Sequence, residues 1–406
     1  MSRGKGTGSV HYDEPRKRWK ATIEAGYTVR GTRRRITVTA KTERDVLVRL
    51  KAKEREILAT GVPPEGADPR KTVRSFADGW IADQERRLRP SAFVATRSQV
   101  TRWVIPQIGQ MRLNRVTARD VEGVSNAMIS AGRAKSSATR CHRELLRMLK
   151  DAKRGGHAVT ASALLAKGPG LGERTRDAIP LDEVAAILAS ARSQPDGARW
   201  IIAFLLGLRP GEALGLTWSA VDWKRKILKV EWQLQSLSYK EKRNPAKGLR
   251  VPDGYEYRQL VGRHCLVALK SKSGSRNPPM TPLIEEALRA WQTQCPASEF
   301  DLVFPDENGL PRDDKEDRDA FRRLLREAGV SHAKNSEARL YTLYEARHTA
   351  ATMLRANKTD DETLISILGH ASILSSKTYL HSDDDRRRSA LNGVEQQVRS
   401  QLSASP

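Results

Sequence analysis

At 406 residues the chain is too long for one ordinary hydrophobic core, and two to three domains are expected. Its formal net charge of +24 requires a polyanionic partner, either nucleic acid or an anionic membrane surface. It contains neither an apolar run of about eighteen residues nor a signal-peptide pattern, which removes membrane-spanning and secreted readings and leaves DNA or RNA. Hydrophobic residues make up 38% without counting the 28 glycines, close to the globular norm, so this is a folded protein and not a basic tail. Cys141, Cys265 and Cys295 are few, odd in number and widely spaced. They point to neither a disulfide framework nor a zinc site, fit a reducing cytosol, and read as small buried hydrophobes.

Residues 1–10 are rich in Gly, Ser and Lys and read as a frayed end. Trp19, Ala21, Ile23 and Ala25 then alternate with polar neighbours, as do Ile36 and Val38 after a turn at Gly31, which predicts two or three short antiparallel strands. A helix follows from about Thr42, capped with Asp45 at its third position, through Val46, Leu47, Leu50, Ile57 and Leu58 to Gly61. The first sixty residues hold 16 Lys/Arg against 7 Asp/Glu. A three-stranded sheet backed by a helix and carrying Arg30, Arg33, Arg34 and Arg35 is able to place a β-ribbon in a major groove; the plainer reading is a solvated hairpin with a charged face.

Gly61–Arg70, rich in Pro and Gly, marks a boundary. From Thr72 to about Lys167 the period is helical, with Phe76, Trp80 and Ile81, then Val100, Trp103 and Val104, then Val121, Val124 and Met128, then Leu145, Leu146 and Leu149. Four or five helices there make a small bundle. Its basic residues, among them Arg97, Arg102, Lys135 and Arg140, would line a DNA-contacting surface, although long Arg side chains also serve simply to cover apolar ground.

A second boundary at Gly168–Arg176 precedes a mainly helical C-terminal part. A helix opens near Pro180, and a buried one at Trp200–Leu208 runs into Arg209. Strands are expected at Ile227–Trp232 and Cys265–Leu269, with the polar stretch Ser236–Arg263 between them as a long loop. Helix resumes at Ile284–Trp291 and Asp319–Ala328, and the charge-dense Pro311–Arg318 reads as solvated surface. Leu343, Ala346, Ala350, Met353 and Leu354 then recur at the spacing of a buried helical face, which would hold Arg347 still. Thr359 with Glu362 reads as a capping box for the next helix, whose stripe is Leu364, Ile365 and Leu368 and whose stop is Gly369. His370 falls just past that end, and Tyr379 nine residues later.

The run YEARHT, then LGH, then a Tyr nine residues past that His resembles the second conserved box of the tyrosine recombinase (phage integrase) family, H-x-x-R-H, then L-G-H, then T-x-x-Y. GLRPGEALGL at Gly207–Leu216 has the form of that family's first box, an Arg in a G-x-R-x-G-E context. Either box alone is weak, since a lone Tyr is usually a packed aromatic and an isolated LGH a helix end. The resemblance implies a multidomain protein with an arm-type DNA-binding domain at 1–61 (a small α+β unit of three strands and a helix). An all-α core-binding bundle at 72–168 and a mainly α catalytic domain at 174–406 with a small antiparallel sheet would follow. The implied activity is site-specific recombination that integrates or excises a mobile element such as a phage genome. Strands would be cut and rejoined through a 3′-phosphotyrosine and a four-way junction, without cofactor or metal.

Such chemistry needs a nucleophile, neutralisation of charge building on the phosphate, and an acid for the departing 5′ oxygen. The resemblance assigns Tyr379 as nucleophile and Arg209 with Arg347 as phosphate clamp. Guanidinium forks match phosphate oxygens, each worth about 3–4 kcal/mol. Glu212, one turn on, would orient Arg209, and His370 would hydrogen-bond the scissile phosphate. Lys270 is the expected general acid, with Lys272 as its alternative. Tyr344 stands where the family usually has His, a poorer base near neutral pH, so the acceptor of the Tyr379 proton is left open. His348 would pack inward. No carboxylate cluster resembles a two-metal nuclease, and Asp383–Asp385 beside Arg386–Arg388 reads as a helix start. Implied partners are double-stranded attachment sites, a homotetramer on synapsed DNA, a host DNA-bending protein and a directionality factor, with no membrane, on DNA in the cytoplasm of a bacterial host. Two other readings are a type IB topoisomerase-like nicking-closing enzyme and a catalytically inactive DNA-binding regulator.

Overall fold

The computed structural model describes residues 9–27, 32–60, 68, 70–170, 178–269, 274–334, 337–369 and 384–404. The alternating segment at the front forms three antiparallel strands, β1 (Val10–Asp13), β2 (Arg18–Tyr27) and β3 (Arg33–Ala40), in that spatial order. Trp19 lies opposite Ala40, Ala21 opposite Val38 and Ile23 opposite Ile36, so the period of two puts the apolar residues on one face. Helix α1 (Glu43–Thr60) covers that face, and its start is fixed where Thr42 Oγ1 accepts from the Asp45 N–H at 3.1 Å. Ala21, Ala40, Val46 and Leu50 are buried together. The stripe is narrower than its sequence suggests, because Leu47 and Leu58 are 40% and 86% exposed.

Helices α2 (Val73–Arg87), α3 (Pro90–Gln99), α4 (Ala118–Ser130) and α5 (Lys135–Arg154) make the bundle around Trp80, Val100, Val121, Met128, Leu145 and Leu149. The Trp80 indole N–H donates to Asp151 at 2.9 Å, which satisfies the polar edge of a ring whose body is buried. Thr117 and Asp120 form a capping box at the start of α4. Residues 1–173 with 251–253 make one compact unit, and 174–250 with 254–406 a second.

In the second unit, α6 (Leu181–Arg192), the fully buried α7 (Ala198–Leu205) and the short α8 (Pro210–Leu214) lead into β4 (Trp232–Ser236). The expected strand at 227–232 is split, since Ile227–Leu228 pairs with Val221–Asp222 instead. The stretch 236–263 is not a long loop. It contains a hairpin of β5 (Tyr239–Glu241) and β6 (Asn244–Leu249) turned at Arg243, whose φ is 61°, and then β7 (Tyr257–Val261). β7 joins β8 (His264–Ala268) and β4 in a sheet of order β4-β8-β7, and the β5–β6 hairpin is a separate two-stranded sheet. The polar and charged strands of that hairpin lack the apolar alternation that marks a half-buried strand.

Helices α9 (Pro282–Gln292), α10 (Asp314–Glu327), α11 (Leu343–Ala356), α12 (Asp361–Leu368) and α13 (Asp384–Ala404) close the core. Helix α10 starts inside the run expected to be solvated surface, and Asp317 is fully buried there, accepting from Arg199 of α7 at 2.7 and 3.1 Å. The cap of α12 is Asp360, not Thr359: its Oδ1 accepts from the Thr363 N–H at 2.8 Å. Gly369, with φ 68°, ends that helix in the left-handed region that favours glycine. Beyond its charged start, α13 buries Leu391, Val394 and Val398, which recur at helical spacing.

Candidate active site

Arg209 is held by the turn that follows α7. Pro210 fixes the first helical position of α8, and Glu212 reaches back three residues to the Arg209 N–H at 3.0 Å. The same carboxylate accepts from Arg209 Nη1 through Oε1 at 2.5 Å. Its other oxygen, Oε2, accepts from Arg276 Nη2 at 2.9 Å. One buried Glu212 thus joins two guanidinium groups from distant parts of the chain.

The end of α12 organises the rest. The last carbonyls of a helix have no N–H partner within it and sit at the negative end of its dipole, where cations are favoured. Here three successive carbonyls are each taken by a different arginine. Arg276 Nε donates to Ile367 at 2.7 Å, Arg347 Nη2 to Leu368 at 2.6 Å, and Arg209 Nη2 to Gly369 at 3.1 Å. Arg347 reaches there from the buried face of α11, as its spacing predicts, and its Nη1 donates to the Gly207 carbonyl at 2.5 Å. A side chain on Gly207 would strike Leu368 at 2.7 Å and approach Ala350 at 3.1 Å, which is why glycine belongs at this close crossing.

The electrostatics are those of an anion receptor. Burial, then the charges of Arg209 and Arg276, push the Arg347 guanidinium down to about 9, which still leaves it charged at neutral pH. Burial also lowers Arg276, against the pull of Glu212. Burial would raise Glu212, but the charge and hydrogen bond of Arg276, followed by Arg209, hold it below the ordinary carboxylate range. Three guanidinium groups therefore face one carboxylate, and the side chain of Arg209 is 36% exposed.

The structure thus brings together Arg209, Glu212 and Arg347. Tyr344, one turn before Arg347 on α11, is 56% exposed, and His348 is exposed rather than packed inward. Lys270, Lys272, His370, Tyr379 and Arg30 lie outside the described residues. On β3, Arg33 pairs with Glu24 at 3.4 Å and Arg35 is exposed, while the Arg34 side chain also lies outside what is described. Arg97, Arg102, Lys135 and Arg140 are all exposed on the bundle. Sequence reasoning misses Arg276 as a site residue: its context, after Ser-Gly-Ser and before Asn-Pro-Pro, reads as a turn, and nothing local signals burial. Among the described residues no group of three or more His, Cys, Asp or Glu is placed to hold a metal ion, and no helix is long and apolar enough to cross a membrane.

Residues 178–386 match the Phage integrase family, and residues 72–129 the Phage integrase, N-terminal SAM-like domain. The chain is 24% identical over 410 residues to an integrase of Saccharopolyspora erythraea, covering 91% of this chain and 92% of that one. It is 23% identical to an integrase of Streptomyces ambofaciens, over 91% of this chain and 90% of the relative. In fold it is similar to the Tn1549 transposon integrase in complex with transposon right end DNA, with a TM-score of 0.62 at 18% identity over 79% of this chain and 98% of that one. It is also similar to a lambda integrase tetramer bound to a Holliday junction, with a TM-score of 0.54 at 15% identity over 94% and 99% of the two chains.

Proposed function

The chain belongs to the phage integrase family, and on that premise we propose that it is a site-specific DNA recombinase whose nucleophile is Tyr379. The observation that carries this reading is the meeting of Arg209 and Arg347, 138 positions apart in sequence, at the end of the helix that His370 and Tyr379 follow in the chain. A phosphodiester entering beside Arg209 would meet the guanidinium groups of Arg209 and Arg347, cations that stabilise the charge built up as phosphate passes through its transition state.

In the reaction, Tyr379 gives its phenolic proton to solvent, and its oxygen attacks the scissile phosphorus and forms the phosphotyrosine bond to the 3′ end. The bond to the 5′ oxygen breaks, and Lys270, or Lys272 two residues on, supplies its proton. Arg209, Arg347 and His370 hold the non-bridging oxygens. Tyr344, one turn before Arg347, donates a hydrogen bond to the phosphate in this reading. Attack by the freed 5′ hydroxyl of a partner strand reverses the step, conserving bond energy without an external cofactor. The lambda integrase tetramer on a Holliday junction supports exchange by four copies on two paired sites. A directionality factor and a host DNA-bending protein complete the proposed assembly. The domain division at 1–61, 72–168 and 174–406 gives arm-site binding to Arg30, Arg33, Arg34 and Arg35 and core-site binding to Arg97, Arg102, Lys135 and Arg140.

The test is a nicked suicide duplex made from the junction DNA flanking the element that encodes the chain. Wild-type protein should become covalently attached, with peptide mapping placing the DNA on Tyr379. Tyr379→Phe should bind the duplex equally well and form no adduct. Recombination surviving in that variant sinks the assignment, site-independent relaxation of supercoils favours a topoisomerase-like enzyme, and site binding with no adduct in the wild type favours an inactive regulator.

A further inference from the structure

Arg276 has no part in the cleavage chemistry as assigned to Tyr379, the clamp and the general acid. It is 6% exposed, and its guanidinium is spent entirely inside the protein. Nη2 donates to Glu212 Oε2 at 2.9 Å, Nε to the Ile367 carbonyl at 2.7 Å and Nη1 to the Gly274 carbonyl at 3.0 Å. Those three acceptors belong to three separate pieces of the chain around the site. Glu212 aims Arg209, Ile367 lies in the last turn of α12 beside the carbonyls that hold Arg347 and Arg209, and Gly274 follows Lys270 and Lys272 by four and two residues in the sequence. A planar, three-way donor of this kind fixes directions as well as distances, which a lysine at the same place would not do.

We propose that Arg276 is a positioning residue for strand cleavage: by occupying the second oxygen of Glu212 and the Ile367 carbonyl, it fixes the direction in which Arg209 presents its guanidinium to the scissile phosphate. The proposal rests on the recombinase reading. Without Arg276, Oε2 of Glu212 keeps only the Arg209 N–H at 3.0 Å, and the carboxylate that orients the Arg209 guanidinium is held less firmly. Arg276 touches no DNA and moves no proton; it acts through Glu212 and the Ile367 carbonyl.

The experiment compares full-length wild-type, Arg276→Gln and Arg276→Lys proteins on the nicked junction duplex, made with either the ordinary phosphate or a methylphosphonate at the scissile position. The methylphosphonate lacks the negative charge that an aimed guanidinium neutralises, so the two substrates separate loss of aim from loss of structure. Arg276→Gln is expected to cleave the phosphate about 10²-fold more slowly than wild type, with DNA affinity changed by less than about threefold and the deficit on methylphosphonate reduced to less than about tenfold. Arg276→Lys should fall between Gln and wild type, because it keeps the charge beside Glu212 but not the three directed bonds. Equal losses on both substrates identify a merely structural role and overturn the proposal, as does cleavage at the wild-type rate. If Arg276→Gln does not fold, the same ratio is read from Arg276→Lys, and an equal loss there is decisive against it. Wild-type protein that forms no adduct on either substrate removes the recombinase reading and this proposal together, whereas normal wild-type cleavage with an unchanged ratio removes this proposal alone.

Discussion

Glu212 is a carboxylate at 1% exposure whose two oxygens are shared between Arg209 and Arg276. Removing the charge of such a group leaves two cations without their partner, which costs about 3–5 kcal/mol when the pair is buried. The pH dependence of that loss follows from the direction of its shift. A carboxyl held below its ordinary value of 4.5 contributes stability that is fully present above that value and is lost as the pH falls through the lower, folded-state value. The stability gap between wild type and Glu212→Gln should therefore be constant between neutral pH and the ordinary carboxylate value, and close only below it. Denaturant unfolding of the two proteins across that range reads the gap directly. A gap that already narrows between neutrality and about pH 6 would mean that another group, such as a histidine, carries the coupling.

The helices that position the site depend on a second buried pair remote from it. Arg199 on α7 and Asp317 on α10 are both essentially inaccessible and joined by two hydrogen bonds. Although α7 leads into Gly207 and Arg209, the two Arg199–Asp317 bonds share no partner with the arginine cluster, so loosening the pair should reach the site only through stability. Asp317→Ala leaves the Arg199 charge buried and unpaired, and a loss of about 3–5 kcal/mol is expected. The measurement is the denaturant midpoint together with adduct formation per folded molecule, which should be unchanged. The same pair shows what is legible in the chain and what is not. Helix α11 declares itself through the spacing of Leu343, Ala346, Ala350 and Met353, and that spacing also places Arg347 inward. The box around Arg209 is readable because Pro210 and Glu212 are local signals for a helix start. Asp317 is not, since an acid in register with Phe321, Leu324 and Leu325 is buried only because of Arg199, 118 positions away. Arg276 is hidden for the same reason: its burial is decided by Glu212 and Ile367, which lie 64 and 91 positions away. The hairpin of β5 and β6 escapes a sequence reading because polar and charged residues fill it where apolar ones ordinarily mark a strand.

At the scale of the whole molecule the governing quantity is the net charge of +24, which no single site absorbs. Charge of this size brings DNA close from any direction, so the residues that define a binding face must be separated from general attraction. Salt provides the separation, since every phosphate neutralised by a fixed cation releases counterions and steepens the fall of affinity with salt. Arg97 and Arg102 on one stretch of the bundle, and Lys135 and Arg140 on α5, are exposed and stand outside the apolar core of the bundle. If they meet the duplex, replacing all four by alanine should flatten the slope of log affinity against log salt concentration by about 0.9 for each phosphate no longer neutralised. Because those residues are far in sequence from the arginine cluster, saturating DNA should restore adduct formation on the suicide duplex to the wild-type level. Equal slopes for the two proteins would take this face of the bundle off the DNA, and a flattened slope with no adduct at saturation would mean that the bundle also orders the catalytic unit.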